Sequence, residues 1–256
     1  MPDAGGSERF FTAKPEGLPG VDGVWCHTES TDERALALCL PERHFVPPDG
    51  CSDLIVRFSA GRLASAFVQE PTLSYEVVSI EPGDALFGAR LELGRGGPLL
   101  KRSGLVAGEA QRLLEKVDRG DAAAVLERLG RYCAELLERY AWPTWLGEVL
   151  LVAQRRFGDV SVLELARHVG VSERTLHRGF LDWVGGSPKQ LLRALRIREA
   201  VRRTEGTAAL AEIAAELGFA DQAHLSREMR ELWGTTPARL RREPSDFFKT
   251  PPAPKP

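Results

Sequence analysis

Arg174, His177 and Arg178 fall within five positions of one short stretch, Leu165-Ala-Arg-His-Val-Gly-Val-Ser-Glu-Arg-Thr-Leu-His-Arg-Gly-Phe180. An arginine fork can donate twice to the O6 and N7 of a guanine, and a glutamine can serve an adenine in the same bidentate way. A second group of this kind, Gln222, His224, Ser226 and Arg227, lies further along the chain. Thr175 belongs with Ser226 as a side chain suited to a phosphate oxygen, as do Arg193 and Arg196 between the two groups.

Such side chains recognise anything only if a rigid element holds them off the core. In the first stretch the apolar residues are Leu165, Ala166, Val169, Val171, Leu176 and Phe180. They predict two short helices, with Gly170 at the turn, where the backbone must be free to enter left-handed space. Ser172 is placed to cap the second helix. Glu173, Arg174, Thr175, His177 and Arg178 are left off the apolar stripe, which is the layout of a helix-turn-helix with a reading helix rich in hydrogen-bonding groups. Ser161-Val-Leu-Glu164 is a capping box that starts the unit. Gly185-Gly-Ser-Pro188 ends it and opens a further helix from Pro188 to about Thr204, with proline in the first turn. That helix has an apolar stripe through Leu191, Leu192, Leu195 and Ala200, and arginines at 193, 196, 198, 202 and 203.

The pattern then repeats. Leu210-Ala-Glu-Ile-Ala-Ala-Glu-Leu-Gly-Phe219 echoes Val162-Leu-Glu-Leu-Ala-Arg-His-Val-Gly-Val171, and Leu225, Arg227, Gly234 and Pro237 echo Leu176, Arg178, Gly185 and Pro188. The offset is 48 before the turn and 49 after it, so the second turn is one residue longer. Two helix-turn-helix units joined by a long helix are expected. A rigid link would set their reading helices into successive major grooves, about 34 Å apart. Because the two helices differ, the half-sites should be unlike and in direct orientation.

Composition sets the frame. The chain has 256 residues with 43% hydrophobic content, enough for a packed core and one large or two ordinary domains. The longest apolar runs, such as Val149-Leu-Leu-Val-Ala153, fall far short of the roughly 20 residues that span a bilayer. No signal peptide is visible at the start, so a cytoplasmic protein without membrane partners is expected. Cys26, Cys39, Cys51 and Cys133 form no C-x-x-C pair and are most simply buried small hydrophobes. The net charge is −2, but residues 159–242 carry 14 basic and 11 acidic side chains, while the rest carries 20 basic and 25 acidic. A mildly basic module beside an acidic remainder fits a nucleic-acid partner.

Residues 1–20 read as a loosely held arm. Short strand-like runs follow at Val24-Trp-Cys-His27, Asp53-Leu-Ile-Val-Arg-Phe58, Leu63-Ala-Ser-Ala-Phe67, Leu73-Ser-Tyr-Glu-Val-Val-Ser-Ile80 and Ala85-Leu-Phe-Gly-Ala-Arg-Leu91, separated by Pro47-Pro-Asp-Gly50, Ser59-Ala-Gly61 and Glu81-Pro-Gly-Asp84. Gly94-Arg-Gly-Gly-Pro98 lacks the ending of a phosphate-binding loop and reads as a boundary turn. Leu126, Leu129, Cys133, Leu136 and Tyr140 form a seam of two heptads, equally suited to a helix packed on its own β-domain and to a homodimer. A helix from Thr144 or Trp145 to about Phe157 leads into the last domain. The expected fold is α+β, with a β-rich sensing domain at 1–100, a helical connector at 101–158, an all-α double helix-turn-helix domain at 159–245 and a proline-rich tail at 246–256.

From Ser161 to Arg242 the chain resembles the AraC/XylS family of transcription regulators. The likeness rests on Ala166…Gly170-x-Ser172…Leu176-x-Arg178-x-Phe180, the Gly-x-Ser-Pro188 junction, the arginine-bearing helix, and Ile213-Ala…Leu-Gly-Phe219…Leu225-x-Arg227…Trp-Gly-x-Thr-Pro237…Arg241. Met229 stands where the family usually has Phe, and Ala220 and Ala223 where small polar residues are common. The resemblance implies a sequence-specific DNA-binding regulator, not an enzyme. Arg174, His177, Arg178, Gln222, His224 and Arg227 would face the bases, and RNA polymerase would be a further partner. Pro47-Pro-Asp-Gly-Cys-Ser-Asp-Leu-Ile55 and Ile80-Glu-Pro-Gly-Asp-Ala-Leu-Phe-Gly88 resemble an N-terminal domain found in some members. By resemblance that half binds a small effector and dimerises; a protein partner is the other reading.

No cofactor or metal is expected. A cupin-like enzyme in the N-terminal half would need several ligands from neighbouring strands, and only His27 and His44 lie there. An alkyl-accepting module fused to a DNA reader is a further alternative, but Cys51 has no neighbouring cysteine or histidine to activate it.

Overall fold

The computed structural model describes residues 10–13, 17–28, 42–117 and 121–242. Cys39 and the tail expected at 246–256 lie outside them. The chain forms two compact units, and neither is continuous in sequence. One holds residues 1–42, 52–70 and 80–141; the other holds 43–51, 71–79 and 142–256.

The first unit is built on a five-stranded antiparallel sheet. Its strands are β1 (Phe10–Ala13), β2 (Val21–Thr28), β4 (Asp53–Ser59), β5 (Arg62–Gln69) and β7 (Asp84–Leu91), in the order β1-β2-β7-β4-β5. Alternation of side chains along a strand puts Leu54, Val56 and Phe58 on the same face as Ala85, Phe87, Ala89 and Leu91, all buried. Val56 sits opposite Phe87 across the β4–β7 ladder, and the Phe58 and Phe87 rings meet edge to face at 5.5 Å. Helices α1 (Gly97–Leu100), α2 (Ser103–Leu114) and α3 (Ala122–Glu138) follow. Val106, Ala110 and Leu114 of α2 and Val125, Leu126, Leu129, Cys133, Leu136 and Leu137 of α3 share one core with the sheet. The heptad seam is therefore a face buried in its own unit. Burial also drives the Cys133 thiol pKa far up, which suppresses its thiolate. The described Cys26 and Cys51 are buried as well.

On the sheet, the Trp25 indole crosses Gly88, where a Cβ would lie 2.1 Å from the ring. Its Nε1 donates to Asp53 at 2.7 Å, and Arg90 Nη2 donates to the same carboxylate at 3.3 Å.

Three details depart from the sequence reading. Phe10–Ala13, inside the expected loose arm, is a strand paired along β2. The run expected from Leu73 to Ile80 is a strand only from Glu76: β6 (Glu76–Ile80) pairs with β3 (Glu42–Val46), which is not among the expected strands, in a separate two-stranded ribbon. The 101–158 segment, expected as one connector, divides after Ala141 because α2 and α3 are needed to cover the sheet.

The second unit is helical: α4 (Thr144–Arg155), α5 (Val162–His168), α6 (Glu173–Gly179), α7 (Pro188–Thr204), α8 (Leu210–Glu216), α9 (Gln222–Trp233) and α10 (Pro237–Arg242). Its main core gathers Ile197, Ala200 and Val201 of α7 with Ile213, Ala214, Leu225, Met229, Leu232 and Trp233. Residues 43–51 and 71–79 are part of this unit and form a strap. The two segments are tied by Gly50 N–H donating to Thr72 O at 2.9 Å. Phe45 lies 5.6 Å from the Trp233 ring and 6.1 Å from that of Tyr75. Leu73 occupies the space that a Cβ at Gly186 would need.

The Gly88 contact generates a stability prediction. Gly88→Ala must displace the Trp25 ring and should cost about 1–3 kcal/mol. Urea unfolding followed by tryptophan fluorescence measures it, and an unchanged midpoint would contradict the packing described.

Candidate nucleic-acid interface

The first helix-turn-helix is α5 and α6. Ser161 Oγ accepts from Glu164 N–H at 3.1 Å and Glu164 Oε2 accepts from Ser161 N–H at 2.8 Å, the reciprocal box that satisfies two orphan donors. The same bonds hold the Glu164 carboxyl below the usual glutamate range. Gly170 takes φ 69°, and Val171 N–H reaches back to Ala166 O at 3.0 Å, closing α5 with a left-handed turn. Ser172 Oγ then accepts from Thr175 N–H at 3.1 Å and starts α6. Leu176 and Phe180 are fully buried, and the chain continues through one π turn at Phe180–Val184 to Gly185, again left-handed. Gly179 lets α6 close on Trp145 of α4, since a Cβ there would lie 2.3 Å from the ring.

The second unit, α8 and α9, is built alike. Gly218 has φ 69°, Phe219 N–H returns to Ala214 O at 2.9 Å, and Asp221 caps α9 by accepting from His224 N–H at 2.6 Å. Leu225 and Met229 are fully buried where Leu176 and Phe180 stand in the first unit. Met229 thus fills the place of the expected Phe without leaving the core. Between the two units runs α7, whose 17 residues span about 25 Å. Its start is capped by Ser187 and Gln190, and the chain beyond its end is held by Arg241, which donates to Thr204 O at 3.2 Å and Ala208 O at 2.9 Å.

The ten residues expected to meet a nucleic acid separate by what they already hold. Arg174, His177 and Arg178 on α6, and Gln222 and Arg227 on α9, are exposed, and none of their side chains is engaged among the described residues. They share the solvent-facing side of their helices and are available for a ligand. Thr175 Oγ1 shares a 2.9 Å hydrogen bond with Ser172 Oγ, and Ser226 Oγ donates to Gln222 O at 2.9 Å. His224 accepts Ala220 N–H through Nδ1 at 3.3 Å and sets its ring edge-on to Phe219 at 5.4 Å.

Arg193 and Arg196, the two of the ten that lie on α7, are engaged within the fold. Arg193 donates from Nε and Nη2 to the two oxygens of Glu228, both at 2.8 Å, and also reaches Glu231 at 2.9 Å. Arg196 donates to Gly158 O at 3.0 Å and lies 5.6 Å from the centre of the Phe219 ring. A phosphate contact by either would have to exchange these bonds: two carboxylates for Arg193, a backbone carbonyl for Arg196. Glu228 and Glu231 were not anticipated as partners, because 35 residues separate Glu228 from Arg193 and no local spacing links them. Arg230, one turn beyond Arg227, is a further exposed cation on α9 that the motif register passed over.

Among the described residues no helix is long and apolar enough to cross a membrane, and no group of three or more His, Cys, Asp or Glu is placed to hold a metal ion.

Arg193 generates a pH prediction. Its hydrogen bonds hold the Glu228 carboxyl below the usual glutamate range, while burial pushes the other way. A depressed carboxylate contributes stability that is complete above its unfolded value, near ~4.3, and is lost as pH falls through the folded one. Arg193→Ala should cost about 1–3 kcal/mol at pH 7. The gap to wild type should narrow as pH drops below about 4. Denaturant titrations at several pH values would reveal it, and a constant gap contradicts the pairing.

Residues 165–243 match the family model of a helix-turn-helix domain. Over 83 residues the chain is 31% identical to a probable thc operon regulatory protein of Rhodococcus erythropolis; the match takes in 31% of this chain and 25% of that one. The chain therefore spans about a quarter of the length of that relative. A transcriptional regulator of Chromobacterium violaceum with an AraC-type DNA-binding domain is 26% identical, with a TM-score of 0.37 over 40% of this chain and 92% of that one. ToxT of Vibrio cholerae is 9% identical, with a TM-score of 0.43 over 95% of this chain and 99% of that one.

Proposed function

We propose that the chain, whose residues 165–243 match a helix-turn-helix domain and resemble a probable operon regulator, is a DNA-binding transcription regulator of the AraC/XylS kind that reads a bipartite operator with α6 and α9 in successive major grooves. The observation that carries this reading is the pair of matched turns, Gly170 and Gly218, each followed by a capped helix whose outer face holds unengaged Arg, His or Gln. Arg174, His177 and Arg178 would serve one half-site, and Gln222 and Arg227 the other. Thr175 and Ser226 are secondary phosphate contacts, and His224 acts mainly by shaping the start of α9. Arg193 braces α9 against α7 and so sets the distance between half-sites. The protein is read as a binder and not a catalyst, with RNA polymerase as a downstream partner.

Selection of bound DNA from a random pool by the full chain tests this. Two unlike half-sites about one helical turn apart are expected. Arg178→Ala and Arg227→Ala should each lose about 1–3 kcal/mol of discrimination at one base pair, in different half-sites. Wild-type affinity and base preference in both variants would overturn the register.

Control through the N-terminal half is the second part of the proposal. The strap supports it: Tyr75 N–H donates to Leu232 O at 2.7 Å, satisfying one of the last carbonyls of α9. A change in the strap would therefore reach the end of a reading helix directly. Tyr75→Pro deletes that donor and should speed amide hydrogen exchange in the last turn of α9 and weaken operator binding, leaving α6 protected. Exchange unchanged at α9 would separate the strap from the reader. An alkyl-accepting N-terminal module is not favoured: Cys51 is buried beside Asp49, whose carboxylate accepts its N–H at 2.9 Å, the wrong charge to support a thiolate nucleophile.

A further inference from the structure

A cavity of about 600 Å³ opens in the helical unit, within the range that holds a small molecule. Phe45 of the strap, Phe157, and Trp233 of α9 contribute to its walls, with Leu195 and Val201 of α7. Arg198, also in the lining, is exposed and pairs with nothing among the described residues. The lining also holds Glu199, Arg202 and the exposed Glu205. Of these, Glu199 is neutralised, accepting from Arg202 at 2.6 and 2.7 Å and from Arg203 at 2.8 Å.

A second observation singles out the same place. Phe157 sits at φ 51°, a left-handed backbone that bulky residues avoid. The next residue, Gly158, is also left-handed at φ 75° and packs so closely on α7 that a Cβ would lie 2.1 Å from Leu192 O. Packing explains the turn but not the residue. Glycine or asparagine would relax there, whereas Phe157 is 40% exposed and lines the cavity, with the Arg203 guanidinium 5.6 Å from the centre of its ring. Strain retained beneath an exposed ring is a pattern found at ligand clamps.

We propose that this cavity binds a planar, largely apolar aromatic small molecule, stacked on Phe157 and carrying an acceptor or anionic group for Arg198. The ligand would touch the strap through Phe45 and α9 through Trp233, two elements that already share a ring contact. Its binding requires nothing of the regulator reading; its effect on DNA rests on that reading.

The probe is 8-anilinonaphthalene-1-sulfonate, a flat aromatic anion, titrated into the full chain and followed by fluorescence. One saturable site is expected. Phe157→Ala should weaken it at least tenfold, and Gln154→Trp, an exposed lining position, should block it by filling the space. Arg198→Glu should weaken it several-fold. Phe67→Ala, which alters an exposed ring on the sheet, should leave it unchanged. Circular dichroism checks that each variant is folded. Wild-type probe binding in both folded Phe157→Ala and Gln154→Trp overturns the site. With DNA chosen by selection, saturating probe should change wild-type affinity at least threefold and leave Phe157→Ala unaffected. No change in affinity would overturn the coupling and keep the site, and failure of the chain to select any DNA would overturn the regulator reading and leave the probe result standing.

Discussion

A guanidinium that is more than half buried must find acceptors for its donors, and Arg193 finds them on another helix. Its two-pronged bond to Glu228, extended to Glu231, joins the linking helix α7 to the second reading helix α9. Apolar contact alone would let two such helices slide or roll by small amounts. A planar fork facing a planar carboxylate tolerates much less rotation. The direction in which Arg227 and Gln222 face solvent therefore depends on a pair that touches no ligand. Arg241 performs a related task at the other end of α7 by occupying the carbonyls of Thr204 and Ala208.

Within this frame the unit is asymmetric. The first reading helix is short, passes into a π turn at Phe180–Val184, and is seated against Trp145 through Gly179. The second is 12 residues long, is braced by Arg193, and has its end closed by a donor from Tyr75. One chain thus holds two helix-turn-helix units of like build with different supports. The strap and the cavity lining both reach α9 through Trp233.

The division of the chain follows from where apolar faces can be covered. The five-stranded sheet buries one face and needs α2 and α3 on it, which takes the heptad seam of α3 out of reach of a second copy. The ribbon of β3 and β6 has no such sheet to join, and Phe45 of β3 and Tyr75, just before β6, go to the helical core with Trp233. Two excursions of the chain are therefore part of a unit whose helices begin only after residue 141.

Much of the helical unit was legible in the residues because its rules are local. A serine at the head of an apolar run, a glycine that must take positive φ, and an apolar repeat of three and four all act within one turn of backbone. So Ser161, Ser172, Ser187, Gly170 and Gly218 could be read directly, and the internal repeat doubled the signal. Most strands were legible for the same reason, but not their partners, since alternation reports a buried face and not what covers it. The partners of Arg193, the seat of the α3 seam, the strap on α9 and the strained ring of Phe157 were decided only by tertiary structure. Each depends on groups tens to more than a hundred residues apart, and no spacing along a chain encodes which of several exposed arginines will meet a carboxylate once the helices have packed.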